Sequence, residues 1–146
     1  MSQYLSFTLK HKTNKDVAVE LGYYCTSMAR QISQDIGHFQ WTDEEKTIDD
    51  DYLRDAIDAL DENLTLYHKQ RLQNFVDKER YEMLLTKAEN DSAFENLQVC
   101  IGECESSITA CDMSIEEYAD VRNRLAFIRD VLAENGEEYE LVYRNC

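Results

Sequence analysis

The chain has no proline, and it has glycine at only four of its 146 positions. Both residues interrupt regular structure, because proline lacks a backbone N–H and glycine has high backbone entropy. Their scarcity favours long helices. No apolar run approaches the roughly 20 residues that span a bilayer, and residues 1–12 lack the apolar segment of a signal peptide. We therefore expect a mainly helical protein that is cytoplasmic and does not bind membranes.

Catalytic signatures are also missing. The sequence contains no Gly-x-Ser-x-Gly, no phosphate-binding loop and no dinucleotide-binding fingerprint. His11, His38 and His68 are scattered, and the paired Glu-x-x-His motifs of di-iron helical bundles are absent. The sequence therefore predicts a protein that is not an enzyme and that needs no cofactor.

Five cysteines form an odd set, which indicates reduced thiols in the cytoplasm. Cys100, Cys104 and Cys111 share one face of a helix at 100° per residue. Three thiolates on one face can bind Zn²⁺ or Cu⁺ if a fourth ligand comes from elsewhere. A cysteine at an apolar position also packs as a small apolar residue. Core packing is the favoured interpretation, and a metal-binding helical protein is an alternative.

What the chain has in excess is acid, with a net charge of −15. The first acidic block, residues 43–62, holds ten carboxylates against Lys46 and Arg54. The second acidic block, residues 91–121, holds eight carboxylates and neither lysine nor arginine. The rest of the chain is nearly neutral. A field concentrated in this way repels nucleic acid and attracts basic surfaces.

Apolar periodicity divides the chain into five segments. Alternation predicts strands over 3–11 and 138–145. Helical spacing predicts helices over 14–37, 47–89 and 92–135, and a break of the last helix near 112–114 is an open alternative. The residues expected to cap these helices are Thr13, Thr42 or Thr47, and Ser92.

The two longer helices carry apolar residues at alternating steps of three and four, which is typical of coiled coils. In the first of them the series is Leu53, Ile57, Leu60, Leu64 and Tyr67, continued less regularly by Leu72, Phe75, Val76, Met83, Leu84 and Ala88. In the second it is Phe94, Leu97, Ile101, Cys104, Ile108 and Cys111, with the same phase reaching Ile115, Tyr118, Leu125 and Leu132.

A turn near residue 90 predicts that these helices form an antiparallel hairpin, in which residues whose numbers total about 180 face each other. Each acidic block then lies beside basic residues of the other helix. The first block faces Arg122, Arg124 and Arg129, and the second faces Lys69, Arg71, Lys78, Arg80 and Lys87. The hairpin also brings the terminal strands together.

The expected fold is therefore mainly α: a long antiparallel, coiled-coil-like helical hairpin plus one N-terminal helix. Short N- and C-terminal strands pair as a minor sheet, and residues 1–146 form a single domain.

Part of the acid remains available for a partner. Asp51, Asp55, Asp58 and Glu62 follow one helix face, and a regular array of carboxylates can replace phosphates on a nucleic-acid-binding protein. A solvated face is the alternative interpretation. The residues predicted to bind a partner are Asp50, Asp51, Asp55, Asp58, Asp61, Glu62, Glu103, Glu105, Glu116, Glu117 and Asp120.

The opening Met1-Ser2-Gln3-Tyr4-Leu5-Ser6-Phe7 resembles the starts of some short proteins encoded by phages and mobile elements. The resemblance implies a small acidic accessory protein, a group that includes inhibitors of nuclease-based defence.

The predicted function is non-catalytic binding of a protein with a basic surface, as an inhibitor that blocks a nucleic-acid-binding site, without direct contact to nucleic acid. The alternative is a structural coiled-coil assembly module that self-associates, for example as a homodimer.

Overall fold

The computed structural model describes residues 4–146, and the side chains of residues 23–29 lie outside the described part. Most of the described residues are helical, and the two long helices pack together. The elements in chain order are β1 (Tyr4–His11), β2 (Ala18–Cys25), α1 (Thr26–Ile36), β3 (Thr42–Ile48), α2 (Asp50–Leu85), α3 (Asp91–Asn135) and β4 (Tyr139–Asn145). No helix among the described residues has the length and apolar character needed to cross a membrane.

The four strands form one antiparallel sheet in the order β2-β1-β4-β3. At its centre β1 pairs with β4, so that Leu5 lies opposite Asn145 and Leu9 opposite Leu141. The pairing ends with two hydrogen bonds: the Tyr4 N–H donates to the Cys146 carbonyl at 2.7 Å, and the Cys146 N–H donates back at 3.1 Å. The terminal strands therefore pair as predicted, with residue 3 of the predicted first strand outside the described residues.

The helix predicted over 14–37 is wrong in its first half, where β2 runs over Ala18–Cys25 and α1 begins only at Thr26. The segment is rich in β-branched and aromatic residues, which favour strands, and β2 pairs with β1 over seven residue pairs. Thr13, expected as a cap, lies instead in the β1–β2 turn, where its N–H and the Asn14 N–H donate to His11 Nδ1. The side chains of Tyr24 and Met28, two members of the predicted apolar face, lie outside the described residues.

Strand β3 was not predicted, because its residues Asp43, Glu44 and Glu45 belong to types that are depleted in strands. Its partner is β4, with Ile48 opposite Leu141. Thr42, expected to cap a helix, bonds locally instead: its hydroxyl donates to the Glu44 carbonyl at 2.9 Å. The first acidic block is therefore divided between an edge strand and the start of α2.

The caps predicted at Thr47 and Ser92 for the two long helices are each two residues away from the observed caps. Helix α2 is capped by Asp49, whose Oδ1 accepts the Tyr52 N–H at 2.9 Å, and not by Thr47. Helix α3 is capped by Asn90, whose Oδ1 accepts the Ala93 N–H at 2.8 Å, and not by Ser92. Helix α3 is continuous from Asp91 to Asn135, without the break considered near 112–114.

Contacts divide the chain into two compact units, a division of which the sequence gives no sign. Unit 1 comprises Met1–Asn63 and Tyr118–Cys146, and unit 2 comprises Leu64–Glu117. Unit 1 contains the sheet, α1, the first part of α2 and the last part of α3. Its buried apolar residues include Leu5, Phe7, Leu9, Ile32, Ile36, Phe39, Ile48, Leu53, Ala56, Ile57, Leu60, Tyr118, Val121, Leu125, Ile128, Leu141 and Tyr143.

Phe39 is central to the core of unit 1 and is fully buried. Its ring packs edge-on against Phe7 at 5.2 Å, Tyr52 at 5.3 Å and Tyr143 at 5.4 Å between centroids. Its φ of 58° is unfavourable for a non-glycine residue by about 1 kcal/mol or more. Hydrogen bonds hold this conformation: the Phe39 N–H donates to the Tyr52 hydroxyl at 2.6 Å, and the Phe39 carbonyl accepts from buried Asn145 Nδ2 at 2.6 Å.

The contact face of α2 in unit 2 differs from the predicted apolar series. Leu72, Phe75, Val76, Met83 and Leu84 are exposed, so their assignment to the helix–helix contact is wrong. The half-buried residues at steps of three and four are Leu64, Tyr67, Arg71, Asn74, Lys78, Tyr81 and Leu85, here called the contact face. The apolar spacing did not predict the helix–helix contact here, because polar residues occupy the middle of the contact face and apolar residues lie on the opposite side of the helix.

Two leucines of α2 test this assignment. Leu60 is fully buried and Leu72 is 63% exposed. We expect Leu60→Ala to lower the free energy of unfolding by about 2–5 kcal/mol, because it leaves a cavity. The matched control, Leu72→Ala, should change it by less than about 0.5 kcal/mol. Urea unfolding followed by circular dichroism measures both, and equal losses would contradict the assignment.

Candidate partner-binding surface

In unit 1 the predicted residues Asp51, Asp55, Asp58 and Glu62 form one exposed row on α2, here called the acidic stripe. Their steps of four, three and four residues keep them on one side of a helix. The buried residues of this part of α2 are Leu53, Ala56, Ile57 and Leu60. At 100° per residue the acidic stripe lies opposite that buried side, so it faces away from the core.

Basic residues compensate the acidic stripe weakly. Arg54 Nη1 lies 3.3 Å from Asp51 Oδ1, and its Nη2 lies 3.7 Å from Asp55 Oδ1. All three side chains are at least half exposed, and ion pairs in such settings contribute little stability. Asp58 and Glu62 form no ion pair with any residue that the structure describes. Arg54 is therefore the only ion-pair partner of the four carboxylates within the described residues, and Arg129 of α3 acts on Asp58 only through its charge.

Asp50 and Asp61, predicted to broaden this surface, are bound to α3 instead. Arg129 donates from Nε to Asp50 Oδ1 at 2.6 Å and from Nη2 to Asp50 Oδ2 at 3.0 Å. Arg122 Nε donates to Asp61 Oδ1 at 3.0 Å. The hydrogen bond from Arg129 is the main reason that the pKa of Asp50 is lowered. These two carboxylates therefore hold α2 and α3 together.

The predicted register of the two long helices is confirmed by four ion pairs. Unit 1 has Asp50–Arg129 and Asp61–Arg122, and unit 2 has Arg71–Asp112 at 2.5 Å and Lys78–Glu105 at 3.4 Å. In three of these pairs the two residue numbers add up to 183, and in Asp50–Arg129 they add up to 179, close to the predicted total of about 180. Of the other basic residues expected across the hairpin, Arg124 pairs with Asp120 on its own helix.

The α3 residues predicted to bind a partner fall into two groups. Glu105 is engaged by Lys78, whose pKa is raised chiefly by that hydrogen bond, and Asp120 is engaged by Arg124. Glu103, Glu116 and Glu117 are exposed and form no ion pair within the described part of the chain. All three belong to unit 2, whereas the acidic stripe belongs to unit 1.

Among the described residues, the side chains of the cysteine face are not grouped for metal binding. Cys104 and Cys111 are buried on the α3 side of the helix contact, and Cys100 is half-buried. The pKa of the Cys104 thiol is raised, chiefly by burial and then by the charge of Asp77, which disfavours the thiolate that metals require. No three His, Cys, Asp or Glu side chains among the described residues are grouped to hold an ion. The side chain of Cys25 is not among those described.

A groove of about 730 Å³ in unit 1 was missed by the sequence prediction. It lies between β3, β4 and the last turns of α3, and its charged lining includes Lys12, Asp50, Arg129 and Glu140. Lys12 Nζ donates to the Gly136 carbonyl at 2.7 Å, and Arg129 is bound to Asp50. No signal in the sequence indicated it, because strand pairing brings its lining residues together.

No protein-family model, no curated protein and no solved structure matches the chain.

The Asp50–Arg129 pair gives a prediction about pH. A carboxyl with a lowered pKa in the folded state contributes stability above its ordinary pKa of 3.8, and loses it as pH falls through the folded value. We expect Arg129→Gln to raise the pKa of Asp50 toward 3.8 and to remove this contribution. Carbon-detected NMR titration of the Asp50 carboxyl measures the shift. Arg124→Gln is the matched control on the same helix and should leave the pKa of Asp50 low.

Proposed function

We propose that this chain is a non-catalytic protein-binding protein, and that its acidic stripe occupies the basic, nucleic-acid-binding site of another protein. The observation that supports this most is the outward row of Asp51, Asp55, Asp58 and Glu62, whose only ion pairs within the described residues are with the exposed Arg54. The resemblance of residues 1–7 to the starts of phage and mobile-element proteins extends the proposal to an inhibitor of a host or defence protein.

The spacing of the acidic stripe suits a site that binds phosphates. Eleven residues separate Asp51 from Glu62, which corresponds to about 17 Å along a helix at 1.5 Å per residue. One strand of duplex DNA presents about five phosphates over that distance. Four carboxylates on a rigid helix therefore offer a comparable density of negative charge, without bases that the partner would need to read.

The charge distribution also supports fast, salt-sensitive association. Unit 1 has 10 basic and 19 acidic residues, a net charge of −9 out of the total of −15. Clustered charge of one sign steers an oppositely charged protein toward the surface and raises the association rate at low salt. The exposed carboxylates of the acidic stripe are directly accessible to arginine side chains, which bind carboxylates through two parallel hydrogen bonds.

The acidic stripe also opposes helix stability. Like charges at steps of three and four destabilise a helix by a few tenths of a kcal/mol per pair. The first acidic block nevertheless contains only Lys46 and Arg54 as basic residues. Asp50 and Asp61 lie on the same helix segment and do have arginine partners. A row whose only ion-pair partner within the described residues is the exposed Arg54 is typical of a surface that another molecule covers.

The test is capture of proteins from a lysate of the source organism, followed by competition. We expect the immobilised chain to capture a nucleic-acid-binding protein at low salt, to release it at high salt and to displace duplex DNA or RNA from it. Combined Asp51→Asn, Asp55→Asn, Asp58→Asn and Glu62→Gln should remove this capture, because the substitutions delete the charge and preserve side-chain size.

The matched control removes four charges elsewhere in unit 1, through Asp130→Asn, Glu134→Gln, Glu137→Gln and Glu138→Gln. These side chains are exposed and form no ion pair within the described residues. The control variant should capture the same protein as the unmodified chain. If both variants lose capture equally, the total negative charge explains binding and the acidic stripe has no special role. If neither variant loses capture, the acidic stripe is not the binding surface and the proposal is wrong.

A further inference from the structure

We propose that unit 2 is a self-association surface, on which the outer side of α2 in one copy of the chain docks head to tail on the outer side of α3 in a second copy. This inference is independent of the proposed function, because it involves neither the acidic stripe nor a foreign protein.

The outer side of α2 in unit 2 carries a row of exposed apolar residues. Leu72, Val76 and Met83 are 63%, 41% and 64% exposed, and their steps of four and seven place them on one side of the helix. Phe75 lies next to them and is 43% exposed. At 100° per residue this apolar row is opposite the contact face that packs on α3. Contiguous exposed apolar residues indicate a binding site, whereas single ones are ordinary.

Unit 2 is poor in burial and rich in exposed apolar side chains. Among its described residues, only Cys104 and Cys111 are buried. Of the large apolar residues that are exposed in the described part of the chain, most belong to unit 2: Leu66, Leu72, Phe75, Val76, Met83, Leu84, Phe94, Val99 and Met113. A second copy would bury surface that unit 2 does not bury by itself.

The outer side of α3 has a shape that fits the apolar row. Val99 and Met113 are 60% and 59% exposed, and between them on the same side lie Gly102, Ser106 and Ala110. A Cβ added at Gly102 would meet no atom within 4 Å, so the space above it is open. Three small residues between two larger ones form a shallow groove, and large side chains of another helix pack into such grooves.

Charge complementarity selects the second copy as the occupant. Lys69, Arg80 and Lys87 border one edge of the apolar row, are exposed and form no ion pair within the described residues, and Glu79 on the other edge leaves this side of α2 with an excess of positive charge. The α3 groove is bordered by Glu95, Glu103 and Glu117, which likewise have no ion pair in the described part of the chain. The second acidic block contains no lysine or arginine. The α2 side of one copy therefore offers the positive charges that the α3 side of another lacks.

The same charges disfavour two symmetric contacts. Two α3 grooves facing each other would bring only carboxylates together. If the α2 sides of two copies packed antiparallel, the same edge of each helix would lie on the same side of the contact. The basic edge of one copy would then face the basic edge of the other, and the like charges would repel. A contact between unlike sides is heterologous, and it continues into a ring or an open chain of copies.

Sedimentation equilibrium of the full chain tests the proposal. We expect the weight-average mass to rise above 17.1 kDa with concentration in the micromolar range. Combined Leu72→Gln, Val76→Gln and Met83→Gln should weaken association at least tenfold by removing the apolar row. Combined Ser106→Gln and Ala110→Gln should do the same by filling the groove. Glutamine is a good helix former, so both variants should keep their helix content by circular dichroism.

Mixing the two variants distinguishes the head-to-tail contact from the others. Each variant retains one intact side, so an equimolar mixture should form a one-to-one dimer of twice 17.1 kDa and nothing larger. If the α3 variant associates like the unmodified chain, the contact is between two α2 sides and the proposal is wrong. A chain that stays at 17.1 kDa at hundreds of micromolar also overturns it.

Phe127→Gln is the matched control, because Phe127 is an equally exposed apolar residue of α3 that belongs to unit 1. Its association should equal that of the unmodified chain, and a loss as large as that of the groove variant would contradict the proposal. If the α2 variant loses helix content, the groove variant and the Phe127→Gln control still show whether association requires the α3 groove.

Discussion

The antiparallel register of α2 and α3 is the constraint on which most of the structure depends. Because the two helices pair residues whose numbers total about 180, the chain leaves β3 through one helix and returns through the other to the same sheet. There β4 inserts between β1 and β3 and completes the inner pairing. A different register would move Leu125 and Ile128 away from the core that they share with the start of α2.

The ion pairs that mark this register also determine what the acid can do. Carboxylates beside an arginine of the opposite helix, such as Asp50 and Asp61, are used within the fold. Carboxylates on the outer side, such as Asp58 and Glu62, form no ion pair among the described residues, although the charge of Asp58 contributes to the raised pKa of Arg129. Sequence alone places both kinds in one block, and only the geometry separates those that stabilise from those that remain accessible.

The parts of the fold that follow from local pattern were predictable, and those that follow from distant pairing were not. Alternation around Phe7 and Leu141 correctly indicated the terminal strands, and the spacing of Leu53, Ile57 and Leu60 indicated the helix contact. Strand β2 was predicted as a helix because its pairing with β1 leaves no trace in the spacing of its own residues. Strand β3 was hidden because charged residues suit an exposed edge, where they deter further strand addition.

The two units differ in how many elements cover the long helices, and this explains why apolar spacing predicted the helix contact in unit 1 but not in unit 2. In unit 1 the sheet and α1 cover the helices, so that apolar residues such as Leu60 are buried and their spacing reports the contact. In unit 2 the two helices have only each other, and two helices alone bury few side chains completely. Arg71 and Lys78 therefore suit the half-buried contact face, since they reach Asp112 and Glu105 at its margin. Apolar residues such as Leu72 are then left exposed on the outer side.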